Sequence, residues 1–158
     1  MKLYFEDLTP GRVFLGGPID VDGSEVNAFA ARYDPQPFHL DAAAGARSVF
    51  GAQVASGWQT AALTMRMLTD SPLNQIANGL VGLQVDKLVW HRPVKPGDSL
   101  RAEFDIVGRK RSQSRPEFGV INAAWRTYNQ HGELVMSLEN AMWVAVHGPA
   151  QPDEEPSI

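Results

Sequence analysis

The apolar residues of this chain change their period once, near residue 80, and that change limits the fold more than any other feature. Residues 57–69 place Trp58, Ala61, Ala62, Met65 and Leu68 on one broad face, with Arg66 the single charge among them. That spacing predicts a helix. A helix so apolar is expected to be wrapped by other elements. Beyond the Asn78-Gly79 turn the period becomes two. Leu83, Val85, Lys87 and Val89 alternate with Gln84, Asp86, Leu88 and Trp90, and Leu100, Ala102, Phe104 and Ile106 alternate with Arg101, Glu103 and Asp105. The second set predicts a half-buried strand. Residues 118–127 read as another strand. Residues 134–146 read as a long last strand, apolar on both faces near its end and therefore expected to be central in the sheet. Helices first and about four long antiparallel strands afterwards describe an α+β domain, with the sheet wrapped around the helix at 57–69.

The first half supplies shorter elements. Val13 and Leu15 suggest a short strand after the Pro10-Gly11 turn. A helix is predicted from Ser24 as its cap, with Val26, Phe29, Ala30 and Tyr33 on one face. Pro35 ends it, because the residue before a proline is driven out of the α region; Asp34 is thereby placed on a rigid loop. Asp41 is expected to cap a small-residue helix over 42–46, closed by Phe50-Gly51. Ser56 is read as the cap of the apolar helix or as a substrate contact. Trp58 and Met65 are read as core side chains, with pocket lining as the alternative for each.

A length of 158 residues suits one domain, with no repeat or linker to divide it. Residues 1–147 are assigned to that domain, and residues 148–158, rich in proline and acid, to a disordered tail. A net charge of −4 gives no reason to expect nucleic acid, which would call for a strong basic stripe. The chain has no cysteine, which excludes disulfides, thiolate metal sites and thiol nucleophiles. His91, His131 and His147 show no ligand spacing, so no metal site is expected. Lys110, Arg111 and Arg115 are read as a solvated charge run. A charge pair, Glu6-Asp7, follows the first apolar residues, and no stretch approaches the roughly 20 apolar residues of a membrane helix. No membrane association and a cytoplasmic location are the expectation.

The chemistry-bearing residues lie in two short stretches. Asp34-Pro35-Gln36-Pro37-Phe38-His39-Leu40-Asp41 holds a carboxylate and an imidazole five residues apart, framed by two prolines. Ala55-Ser56-Gly57-Trp58 puts a glycine at the start of the apolar helix. A carboxylate and an imidazole sharing one water can move protons, and a helix N-terminal amide can hold a carbonyl oxygen as it gains charge.

These residues resemble the MaoC-like dehydratases, also called (R)-specific enoyl-CoA hydratases. The first stretch is similar to the family's Asp-x-Asn-Pro-x-His-x-Asp motif, and Val54-Ala55-Ser56-Gly57 to the glycine that opens the family's central helix. Arg92-Pro93-Val94-Lys95-Pro96-Gly97-Asp98 resembles its inter-strand turn, and Asn129-Gln130-His131-Gly132-Glu133 precedes the last strand as in the family. The resemblance spans residues 3 to 146. It implies a single hotdog domain, a curved antiparallel sheet around a long helix, pairing into a homodimer or an oligomer of dimers. It implies acyl thioesters of coenzyme A or acyl carrier protein as ligands, no cofactor, and reversible addition of water to a 2-enoyl thioester. Carried over by residue, Asp34 and His39 become the catalytic pair, either one the base, and Gly57 the oxyanion donor. Gln36, Ser56 and Trp58 become substrate-binding candidates. The sequence departs from the family at Gln36, where the motif has Asn, and at Ser56, where many hydratases have His. Two other readings remain beside this one: a non-catalytic acyl-thioester binder, and a hotdog thioesterase, whose usual helix carboxylate or Asn is missing from 57–69.

Overall fold

A computed structural model describes residues 1–148 of the chain. The expected tail otherwise lies outside the described residues. One antiparallel sheet carries five strands, β1 (Val13–Asp20), β2 (Val81–Trp90), β3 (Ser99–Arg111), β4 (Phe118–Tyr128) and β5 (Leu134–Ala145), in the spatial order β1-β3-β4-β5-β2. The helices α1 (Gly23–Tyr33), α2 (Pro37–Leu40), α3 (Ala42–Ala46) and α4 (Gly57–Asp70) all precede β2. The α+β architecture expected from the period change is therefore the one observed.

The alternation in β3 was a faithful guide. Leu100, Phe104 and Ile106 are fully buried and Ala102 nearly so, facing Ile121, Ala123 and Trp125 of β4. Phe104 meets Trp125 edge to face, with centroids 5.5 Å apart, a geometry that aromatic quadrupoles favour. Over this inner face lies α4, which reaches three strands. Thr64 shares a 2.7 Å hydrogen bond with Thr127 of β4, Met67 packs on Gly16 of β1, and Gly57 packs under Trp90 of β2.

Several expectations are corrected. The cap of α1 is Asp22, not Ser24: Asp22 Oδ1 accepts from the Ser24 and Glu25 amides, a geometry that moves the cap two residues earlier. The small helix α3 is capped by Asp41 as expected, but it ends at Ala46, before Phe50-Gly51. Its small residues serve packing, since a Cβ on Gly45 would collide with the backbone of Gln53. The central strand is β4; β5 is internal but sits beside the edge strand β2. Arg111 is not solvated, because it pairs with Glu6 at 3.0 Å and lies over the Phe5 ring.

The largest correction concerns α4. Trp58 and Met65 are 61% and 37% exposed, not core residues. The buried face is Gln59, Thr60, Thr64, Met67 and Leu68. Hydroxyls can occupy it because Thr64 finds partners in Thr127 and in the Thr60 carbonyl. The apolar side chains of β2 share the exposure of Trp58: Val81, Leu83, Val85, Val89 and Trp90 are each more than two-fifths exposed.

Candidate active site

Two breaks in helical structure position the site. Proline at 35 stops α1, so Asp34 becomes its C-terminal cap residue, outside the α region at φ −152° and ψ 67°. Pro37 then takes the first position of α2, where its missing amide costs nothing. His39 therefore stands on a short helix. Its ring is buried, at 5% exposure, against Phe38.

Segment 54–57 meets this turn from the other side. His39 Nδ1 lies 2.6 Å from the Val54 carbonyl oxygen. A carbonyl only accepts, so Nδ1 carries the hydrogen and Nε2 is left to the other face of the ring. There, Nε2 stands 3.1 Å from Asp34 Oδ2. The same Oδ2 accepts from the hydroxyl of Ser56 at 2.7 Å, and Oδ1 accepts from Gln36 Nε2 at 2.6 Å. The carboxylate and imidazole expected to share a water are thus in direct contact. Burial works to raise the Asp34 carboxyl pKa. The hydrogen bonds from Gln36 and Ser56 and the adjacent His39 ring outweigh it and hold the group below its usual value.

Ser56 occupies the capping position of α4 without capping it, because its hydroxyl is given to Asp34. Gln36 likewise gives one amide hydrogen to the carboxylate, and it lines the same cavity. Among the described residues no acceptor meets the Gly57 amide, which opens a 14-residue helix. A glycine is required there, since a Cβ would come 2.5 Å from Trp90 Cε2. Asp34, His39 and Gly57 line one cavity of about 500 Å³, together with Trp58, Thr60 and Trp90. Trp58 meets Trp90 edge to face at 5.0 Å, so it forms the cavity's outer wall. The structure brings all six sequence-predicted residues into one neighbourhood.

Sequence reasoning missed four contributors. Val54 acts through its carbonyl, which any residue could supply, so no side-chain signal exists. Trp90 was legible only as a strand residue, and Thr60 only as a polar interruption one turn into α4. His91 lines the cavity too, with Nε2 held by Ser137 Oγ at 2.7 Å. No three metal-ligating side chains cluster among the described residues, and no described helix is long and apolar enough to cross a membrane.

The arrangement can hold a carbonyl oxygen at a helix N-terminus while an acid–base pair acts a few ångströms away. Comparison with known proteins agrees on the family. The solved structure of a MaoC-like dehydratase from Rhodospirillum rubrum is 39% identical, covers 92% of this chain and 99% of its own, and superposes with a TM-score of 0.87. A Mycobacterium tuberculosis protein with a double hotdog fold superposes at 0.75 over 99% of this chain and 47% of its own, at 20% identity, which identifies the fold as a hotdog. Mesaconyl-CoA hydratase of Cereibacter sphaeroides is 34% identical over 93 residues, 59% of this chain and 26% of that enzyme's length. The family described as MaoC like domain matches residues 7–124, and the chain belongs to it.

Proposed function

We propose that this protein adds water reversibly to a 2-enoyl thioester of coenzyme A or acyl carrier protein, giving the 3-hydroxyacyl thioester. The observation that carries the reading is the 3.1 Å contact between His39 Nε2 and Asp34 Oδ2 on the wall of a cavity that also holds the free Gly57 amide. Similarity to a dehydratase and a hydratase supports it.

In the hydration direction, a water oxygen bonds to C3 of the enoyl group. Asp34 takes the proton this water loses, and the C2–C3 π electrons move toward the thioester carbonyl. The oxygen, now enolate-like, is met by the Gly57 amide with the α4 dipole behind it. The proton taken from water crosses the 3.1 Å contact from Asp34 Oδ2 to His39 Nε2, which passes it to C2 as electron flow back from the oxygen completes the 3-hydroxyacyl product and leaves the pair as it began. Because Nδ1 is tied to Val54, proton traffic at the ring runs through Nε2 alone. Ser56 and Gln36 orient the carboxylate. The acyl tail continues along α4 toward a second cavity of about 390 Å³, lined by Met65, Leu68, Leu83 and Met142. Met65 is seven residues beyond Trp58, about 10 Å along the helix axis.

The functional unit in this reading is a homodimer formed through β2, an edge strand whose apolar side chains are exposed. The reading places it in the cytoplasm. Loss of ultraviolet absorbance from a panel of trans-2-enoyl-CoA substrates tests the activity. Asp34→Asn is expected to lower kcat/KM at least about 1,000-fold with its circular dichroism unchanged. Near-normal turnover by that variant would refute the assignment.

A further inference from the structure

One hydroxyl beside the cavity has no protein partner. Thr60 is 2% exposed and lines the cavity wall one turn into α4. Its amide donates to the Ser56 carbonyl at 3.1 Å, but its hydroxyl makes no hydrogen bond among the described residues. A threonine inside a helix commonly gives its hydroxyl to the carbonyl four residues back. Thr64 does so, to the Thr60 carbonyl at 2.9 Å, whereas Thr60 leaves the Ser56 carbonyl to backbone amides. Nor is the Thr60 oxygen sealed away, as Gln59 Oε1 beside it is. A side chain nine-tenths buried, with a free hydroxyl bordering the site cavity, is poised for a ligand atom.

Helix geometry says which atom. A Cα–Cβ bond tilts toward the helix N-terminus, so a side chain covers the turn that precedes its own Cα. For Thr60 that turn begins at Gly57, three residues back, or about 4.5 Å along the axis. The Gly57 amide and the Thr60 hydroxyl therefore converge on the same end of the cavity. We propose that Thr60 Oγ is a second donor to the carbonyl oxygen held by the Gly57 amide, so that two groups from successive turns of α4 bind the thioester oxygen. The inference rests on the hydration reading, which supplies that oxygen.

A second donor to a developing oxyanion acts on the transition state more than on the bound substrate. T60V keeps the shape of the side chain and removes the donor; T60S keeps the donor and removes the methyl group. With the full chain and a trans-2-enoyl-CoA, T60V is expected to lower kcat/KM by about 10- to 100-fold, chiefly in kcat and with little change in KM. Its melting temperature and the acid limb of its pH–rate profile should match those of the wild type. T60S should recover most of the loss. An active wild type with T60V within about twofold of it would overturn the proposal while leaving the hydration reading intact. Equal losses in T60V and T60S would overturn it too, by showing that the methyl group's packing matters. A wild type that hydrates no enoyl thioester, although it binds acyl-CoA by calorimetry, would overturn the hydration reading and this inference with it.

Discussion

Trp90 closes over the first residue of α4. Its indole Nε1 donates to the Gly57 carbonyl at 2.9 Å, and its ring carbon Cε2 stands 2.5 Å from where a Cβ on Gly57 would be. Glycine at this position thus serves a contact within the chain, beside the thioester approach proposed above. Gly57→Ala must move the ring, and the ring is a wall of the cavity. The expected outcome is a loss of about 1–3 kcal/mol in stability from overpacking, together with a fall in kcat/KM. Pairing the substitution with Trp90→Leu removes the clash, so the double variant should regain stability without regaining full activity. Urea unfolding and enoyl thioester hydration measure the two effects. Equal stability of the single variant and the wild type would count against the contact.

The hydrogen bonds to Asp34 predict a pH dependence with a definite sign. The folded carboxyl pKa is held below its unfolded value by the hydrogen bonds from Gln36 and Ser56 and by the His39 ring. As pH falls, the unfolded chain therefore takes up a proton before the folded one does. This contribution to stability is fully present above the unfolded pKa and is lost as pH falls through the lower folded value. Ser56→Ala deletes one donor to Oδ2, so the folded pKa moves back up and the contribution shrinks. The acid limb of kcat/KM, which in the proposed mechanism reports ionised Asp34, should shift to higher pH in Ser56→Ala. Melting temperature below about pH 5 should depend less on pH in Ser56→Ala than in the wild type. Unchanged profiles in both measurements would show that the hydroxyl does not act on the carboxylate.

Much of this architecture is legible in the sequence, and the parts that are not share a cause. Local chemistry could be read: proline fixed the end of α1, Asp41 declared its cap, and alternation gave Leu100, Ala102, Phe104 and Ile106 their inward face, whereas the short helix α2 was not foreseen. The start of the central helix was placed at Gly57, where α4 begins. What failed was the decision about which apolar face meets the chain's own sheet. Trp58 and Met65 have helical spacing, yet α4 turns Thr60 and Thr64 inward, because Thr127 across the sheet offers a hydroxyl. Periodicity reports that a face is apolar and not what covers it. The link between Ser56 and Asp34 was hidden for a related reason. Serine before a helix satisfies a capping rule by itself, and only the fold shows its hydroxyl committed to a carboxylate 22 positions earlier.

The exposed face of β2 yields the last prediction. The strand pairs with β5 on one side and ends the sheet on the other. Leu83, Val85 and Val89 are 49%, 58% and 45% exposed, and Trp58 and Met65 on α4 continue the apolar surface. A contiguous apolar surface beside a free strand edge is a site of association. A second copy related by a two-fold axis would pair the two edges and bring each Val85 near its counterpart's strand. Val85→Lys then places like charges from both copies in one apolar interface. It should weaken dimerisation at least about 100-fold, since each buried charge forfeits its hydration without gaining a partner. Sedimentation velocity across a concentration series reads the effect directly. Activity should fall in parallel, because the cavity walls Trp58 and Trp90 belong to the same exposed surface. If Val85→Lys and the wild type sediment alike across that series, the β2 edge is not the interface.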